Sequence, residues 1–165
     1  MWLSEVVSRR LVLAACTALM GGCGFQLRQP PPLQFRSIAL TGFALRSPLA
    51  EELARVLSQR VRMVPDPAAA EVVLHALTDA RERIAAALTT AAQVRDLSLR
   101  VRLQYRVHTP SGRELLPTSL LLLARDMSFN ETQVLAKEQE EAEIYREMQS
   151  DVVAQVMRRL ASIKL

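Results

Sequence analysis

The chain is 165 residues long, carries 21 Lys and Arg against 17 Asp and Glu for a formal net charge of +4, and is only 4% aromatic. Scattered basic residues with almost no stacking platforms argue against nucleic-acid binding. Two cysteines and two histidines, none of them spaced as a ligand set, argue against a disulfide framework and against a metal site.

The N-terminus reads as a processing signal, not as structure. Arg9 and Arg10 precede the apolar stretch 11–20, and Gly21-Gly22-Cys23 follows it. A charged start, a short apolar run and small residues before a cysteine are the marks of a bacterial lipoprotein signal peptide. The run is about half the ~20 residues that a spanning helix requires. Residues 1–22 are therefore expected to be removed and Cys23 to carry diacylglycerol and an N-acyl chain, which leaves 143 residues for one domain. Cleavage also discards Cys16, so no disulfide is expected. Several acyl chains, at roughly 0.8 kcal/mol per buried methylene, hold a protein firmly on its membrane. Gly24 stands where an inner-membrane retention signal would place Asp, which favours the outer membrane. Pro30, Pro31 and Pro32 fix φ and remove backbone donors, so residues 23–34 are expected to form an extended tether.

Residues 35–165 are expected to form a single α+β domain. A first strand is expected over 36–41, with Ile38 and Leu40 on one parity and Gly42 closing it. Ser47-Pro48 supplies an N-cap and a first-turn proline for a helix over 48–61, whose apolar residues recur at helical spacing. Pro65 and Pro67 stop it, and a second strand begins at 71–77 and runs on towards Ile84. The clearest strand covers 97–109: Leu99, Val101, Leu103, Tyr105 and Val107 alternate with Ser98, Arg100, Arg102, Gln104 and Arg106. One face packs on the core, and the other presents three arginines, neighbours on that face being about 7 Å apart, twice the strand rise.

Pro110-Ser111-Gly112 makes a hairpin turn, and the return strand over 118–129 is apolar on both parities through Leu120 to Leu123, as for a strand covered on two faces. The last element is a long helix from about Leu135 to Ile163, with Met148, Val152, Val156, Leu160 and Ile163 as its packing stripe. Asn130 and Gln133 resemble a capping box, and Glu138, Glu140, Glu141 and Glu143 in the first half oppose Arg158, Arg159 and Lys164 at the end, matching the macrodipole. Those glutamates read as a solvated helix face. The order β-α-β-β-β-α predicts an α+β fold with two helices on one face of a four-stranded mixed sheet.

His75 and His108 read as ordinary strand residues, and no nucleophile has a partner at recognisable spacing, so no catalytic residue is assigned. Consecutive helical glutamates point different ways round the axis and cannot converge on calcium. Gly24, Gly42 and Gly112 are isolated, so no phosphate loop is present.

Cys23-Gly24-Phe25-Gln26-Leu27-Arg28, the segment 130–148 beginning Asn130-Glu131-Thr132-Gln133, and the order of elements between them resemble the lipopolysaccharide-assembly lipoprotein family, LptE. The resemblance implies two helices on a four-stranded sheet, a non-enzymatic role without cofactor, and a place as plug inside a large outer-membrane β-barrel of the LptD type that delivers lipopolysaccharide to the outer leaflet. It also implies lipopolysaccharide contacts by basic sheet residues. Arg125 falls within the matching strand, although residues 121–124 beside it hold no Lys or Arg. Arg100, Arg102 and Arg106 are candidates because a guanidinium grips phosphate with a planar fork, and Arg125 on the neighbouring strand is expected to extend their row. The charge of +3 after loss of Glu5, Arg9 and Arg10 suits an anionic glycolipid or an anionic barrel wall. The competing expectation is a stand-alone periplasmic lipoprotein that carries or scaffolds an amphiphile.

Overall fold

The computed structural model describes residues 32–88 and 94–164. The expected signal peptide, Cys23 and nearly all of the expected tether lie outside them. The elements are β1 (Ser37–Thr41), α1 (Pro48–Ser58), β2 (Arg62–Met63), β3 (Val72–Leu88), β4 (Val94–His108), β5 (Glu114–Ser128) and α2 (Val134–Leu160), with short 3-10 turns at Pro67–Ala69 and Glu131–Gln133. They form one mixed sheet in the order β2-β1-β3-β4-β5. β1 runs parallel to both β2 and β3, while β3, β4 and β5 form an antiparallel meander. The sheet thus has five strands, not four. The unforeseen one, β2, is two residues long, too short for a period-two signal, and follows directly on a helix.

Each helix forms for the reasons its sequence announces. Ser47 Oγ accepts the Ala50 N–H at 3.1 Å, and Leu49, Leu53 and Leu57 are buried four residues apart. α1 stops at Ser58, three residues short of the expected end, since Val61 is already turning into β2. In α2 the stripe Met148, Val152, Val156 and Leu160 is fully buried; the helix ends at Leu160, three residues short of expectation, and Ile163 is buried beyond it. The helix starts at Val134, next to the expected Leu135, but not with the expected capping box. Asn130 Oδ1 accepts from Thr132 N at 3.0 Å and caps the 3-10 turn, so α2 begins at Val134 without a side-chain cap and without an acid in its first turn.

Both helices lie on one face of the sheet, over the main core that joins Ile38, Leu74, Leu99, Leu103 and Tyr105 to Leu53 and Met148, while Ala39, Ala70 and Val73 form a second, small cluster. Every described element belongs to the compact unit Pro31–Leu165, which therefore carries its own core.

A bulge decides which residues of β3 face the helices. Ala76 pairs with Tyr105, but Thr78 pairs with Gln104, so Leu77 is an extra residue and the parity reverses there. Below the bulge Leu74 and Ala76 face the helices. Above it Asp79, Arg81 and Arg83 do, opposite Leu103, Val101 and Leu99. Gly42, at φ 76°, packs against this region so closely that a Cβ would lie 2.1 Å from Ala76 O.

Candidate functional site: the open face of the sheet

The face of the sheet away from the helices is built by the alternate residues of the three long strands. On β4 it presents Arg100, Arg102, Gln104 and Arg106. Arg100 stands between Glu82 and Ala124, Arg102 between Ala80 and Leu122, Gln104 between Thr78 and Leu120, and Arg106 beside His75. Arg102 reaches Glu82 with an N–O distance of 3.4 Å, and its buried Nε has no hydrogen-bond partner among the described residues. Arg100 and Arg106 make no ion pair among the described residues. Asp96 and Asp126 close the upper end of the face through the same register. At its lower end Thr41 Oγ1 lies 2.9 Å from His75 Nδ1.

The arginines have apolar company. Leu120 and Leu122 are 55% and 50% exposed on β5, and Ile84 on β3 is also exposed. This overturns the expectation that β5 is covered on both faces: its apolar run buries Leu121 against the helices and leaves Leu120 and Leu122 uncovered. A row of guanidinium groups beside half-bare leucines can bind a ligand that carries anionic groups next to hydrocarbon.

Arg125 is not part of this row. It pairs with Leu99 across the β4–β5 ladder, which places it on the helix face, and its Nη2 lies 3.6 Å from Asp151 Oδ2 on α2. The expected group of four therefore divides into three on the open face and one beside α2. Because residues 120–123 are apolar on both parities, the sequence held no sign of which way Arg125 turns.

Sequence reading also missed a set of polar contacts that hold α2 over the far half of β3. Arg81 lies 5.2 Å from the centroid of the Tyr145 ring and binds Gln149 Oε1. Arg83 lies over the Phe129 ring and 3.5 Å from Glu141. Tyr145 donates to Glu82 O at 2.8 Å, and burial pushes its hydroxyl above the usual phenol value, with Glu141 adding to the effect and Arg81 opposing it. Gln149 is buried and donates to Pro48 O and to Glu52 Oε2, tying α2 to the start of α1. A cleft of about 140 Å³ beside it, lined by Leu45, Leu49 and Val101 as well as Asp79 and Arg81, is smaller than the pockets that hold drug-sized ligands. Glu138, Glu140 and Glu143 are exposed, and Glu143 pairs with Arg146 one turn on. His108 Nδ1 lies 2.8 Å from Thr109 O.

A family model described as lipopolysaccharide-assembly, LptE, matches residues 34–160. Among solved structures, the chain is similar to an uncharacterized lipoprotein B from Nitrosomonas europaea, at 28% identity and a TM-score of 0.70, covering 84% of this chain and 91% of that one. It shares its fold with rare lipoprotein B from Shewanella oneidensis, at 22% identity and a TM-score of 0.61 over 77% and 95% of the two chains. It also shares it with a minor lipoprotein from Acinetobacter baumannii, at 20% identity and a TM-score of 0.61 over 79% and 94%. A comparison with curated proteins finds no significant match.

Proposed function

The chain belongs to the LptE lipopolysaccharide-assembly family, a non-enzymatic one, and on that premise we propose that it is an outer-membrane lipoprotein, anchored through acylated Cys23, that fills the lumen of a large LptD-type β-barrel and contacts lipopolysaccharide in transit. A wide barrel needs an occupant to close it, and a small rigid domain on a lipid tether is of suitable size and position. The observation that carries the reading is the open sheet face, where Arg100, Arg102 and Arg106 stand beside Leu120 and Leu122. Lipid A combines phosphates with acyl chains, and this surface offers a fork for the one and apolar contact for the other.

The helices do the complementary work of holding that face rigid. The core buries the inner side of β4 completely, so the arginines are fixed along one line rather than scattered over mobile loops. Isolation of the acylated protein from its host under mild detergent tests the assembly: a stoichiometric outer-membrane barrel is expected, and a lone monomer would overturn the plug role in favour of a stand-alone carrier.

A further inference from the structure

A second concentration of charge lies at one end of the domain, apart from the open face. Arg36 precedes β1, Arg60 and Arg62 flank the approach to β2, Arg113 sits in the β4–β5 turn, and Arg158 and Arg159 end α2. Register brings them to the same level. Ser37 pairs with Arg62, whose N–H donates to Arg36 O at 2.9 Å. Ile38 pairs with Val72, and Val73 with His108, which puts the 109–113 turn beside the start of β1. The Arg159 guanidinium acts on Tyr105, near the same end of β4.

All six are exposed, and none makes an ion pair among the described residues. The recorded pairs lie elsewhere, on Arg55, Arg83, Arg102, Arg125, Lys137 and Arg146. Glu71, next to β3, is occupied by the Arg36 N–H at 2.8 Å. The helix macrodipole accounts for Arg158 and Arg159 but not for the other four. Unpaired cations that come from four separate elements and meet at one end form a surface for an anionic partner.

The chain itself indicates which partner. It enters the domain at this end, at Pro32, and the expected anchor at Cys23 precedes that point by nine residues, a reach of about 30 Å at full extension. We propose that, before the domain enters its barrel, this basic end docks on the anionic phospholipid surface in which the tether is rooted. The strands then stand away from the bilayer, and the arginines of β4 lead outward from Arg106 to Arg100. The inference builds on the anchored reading of Cys23, but its test does not require acylation.

Residues 24–165, which contain the whole compact unit, are mixed with vesicles of phosphatidylethanolamine and phosphatidylglycerol at three to one, and with pure phosphatidylcholine vesicles. Binding to the anionic vesicles only is expected, weakening as salt rises because the Debye length shrinks. Each cation near such a surface strengthens association about fivefold, so Arg60→Glu/Arg62→Glu/Arg113→Glu is expected to lose binding by well over tenfold, while Arg95→Glu/Arg146→Glu, at the far end, keeps it. The basic-end variant is also expected to retain lipopolysaccharide binding, which separates this surface from the sheet face. Equal binding to neutral vesicles, no loss in the basic-end variant, or equal loss in the far-end variant would overturn the proposal. Circular dichroism checks that each variant is folded.

Discussion

Arg125 sits directly across the β4–β5 ladder from Leu99, a residue with no exposed surface. That single pairing turns its guanidinium to the helix side, toward Asp151 at the edge of α2, while Arg100, one residue further along β4, faces the opposite way. If the open face contacts lipopolysaccharide, the two positions must behave differently. Loss of a charge-assisted hydrogen bond is worth about 1.5–3 kcal/mol, so Arg100→Ala/Arg102→Ala is expected to weaken lipopolysaccharide binding by about tenfold or more. Arg125→Ala is expected to leave binding unchanged and to cost about 0.5 kcal/mol of stability or less, because both partners of its ion pair are about half exposed. Titration with purified lipopolysaccharide and urea unfolding measure the two quantities. Equal losses of binding at the two positions would place the contact elsewhere.

Leu121 and Leu122 provide an internal comparison of the same kind. Leu121 is 5% exposed and Leu122 is 50% exposed, on neighbouring residues of one strand. Leu121→Ala leaves a gap in the core and is expected to cost about 2–5 kcal/mol. Leu122→Ser, with Leu120→Ser beside it, removes surface that water already reaches and is expected to cost about 1 kcal/mol or less per site. The serine pair is instead expected to reduce lipopolysaccharide binding, read in the same titration, with the melting temperature nearly unchanged.

Gly42 and Gly112 both have positive φ, 76° and 88°, but their surroundings differ. A Cβ at Gly112 meets nothing within 4 Å, whereas at Gly42 it would meet Ala76 O and the His75 ring. Gly112→Ala therefore carries only the left-handed conformational cost of about 1–2 kcal/mol. Gly42→Ala adds a collision with strand backbone next to the Leu77 bulge and is expected to cost about 3 kcal/mol or more. Denaturant midpoints with unchanged slopes would rank the two. Equal costs would mean that the β1 end yields more readily than its packing implies.

The parts of this fold that were legible are those where one period runs uninterrupted. β4 alternates from Leu97 to Val107, and the α2 stripe repeats every three to four residues, so both the buried side of β4 and the open arginine row follow from sequence. Legibility failed where the period broke. Leu77 shifts β3 by one residue, so the facing of Arg81 and Arg83, and their hold on Tyr145 and Phe129, needed the register. β5 is apolar on both parities, which conveys strand but not side, so neither the exposure of Leu122 nor the direction of Arg125 was readable. β2 is too short to have any period. The candidate site was therefore half legible: its cations were visible, while its leucines and its true boundary were not.

Among the described residues Tyr105 is the largest fully buried side chain, and its hydroxyl finds no hydrogen-bond partner there. Burial raises its pKa above the usual phenol value, and the nearby Arg159 guanidinium only partly opposes the shift. Two consequences follow for Tyr105→Phe. Near pH 7 the substitution removes a desolvated hydroxyl that gains nothing in return, so stability is expected to hold or to rise by about 1 kcal/mol. At alkaline pH the linkage has a definite sign. The unfolded chain gives up its phenol proton near pH 10 while the folded chain still holds it, so above that pH the folded state binds more protons and stability falls as pH rises. Stability of the wild-type protein is thus expected to be insensitive to Tyr105 below about pH 10 and to decline above it, with Tyr145, also shifted upward, contributing in the same direction. Tyr105→Phe is expected to make that decline shallower without abolishing it. Urea unfolding at a series of pH values from 7 to 11 measures both effects, and a marked loss of stability at pH 7 would show that the hydroxyl is held by a bond to Arg159 after all.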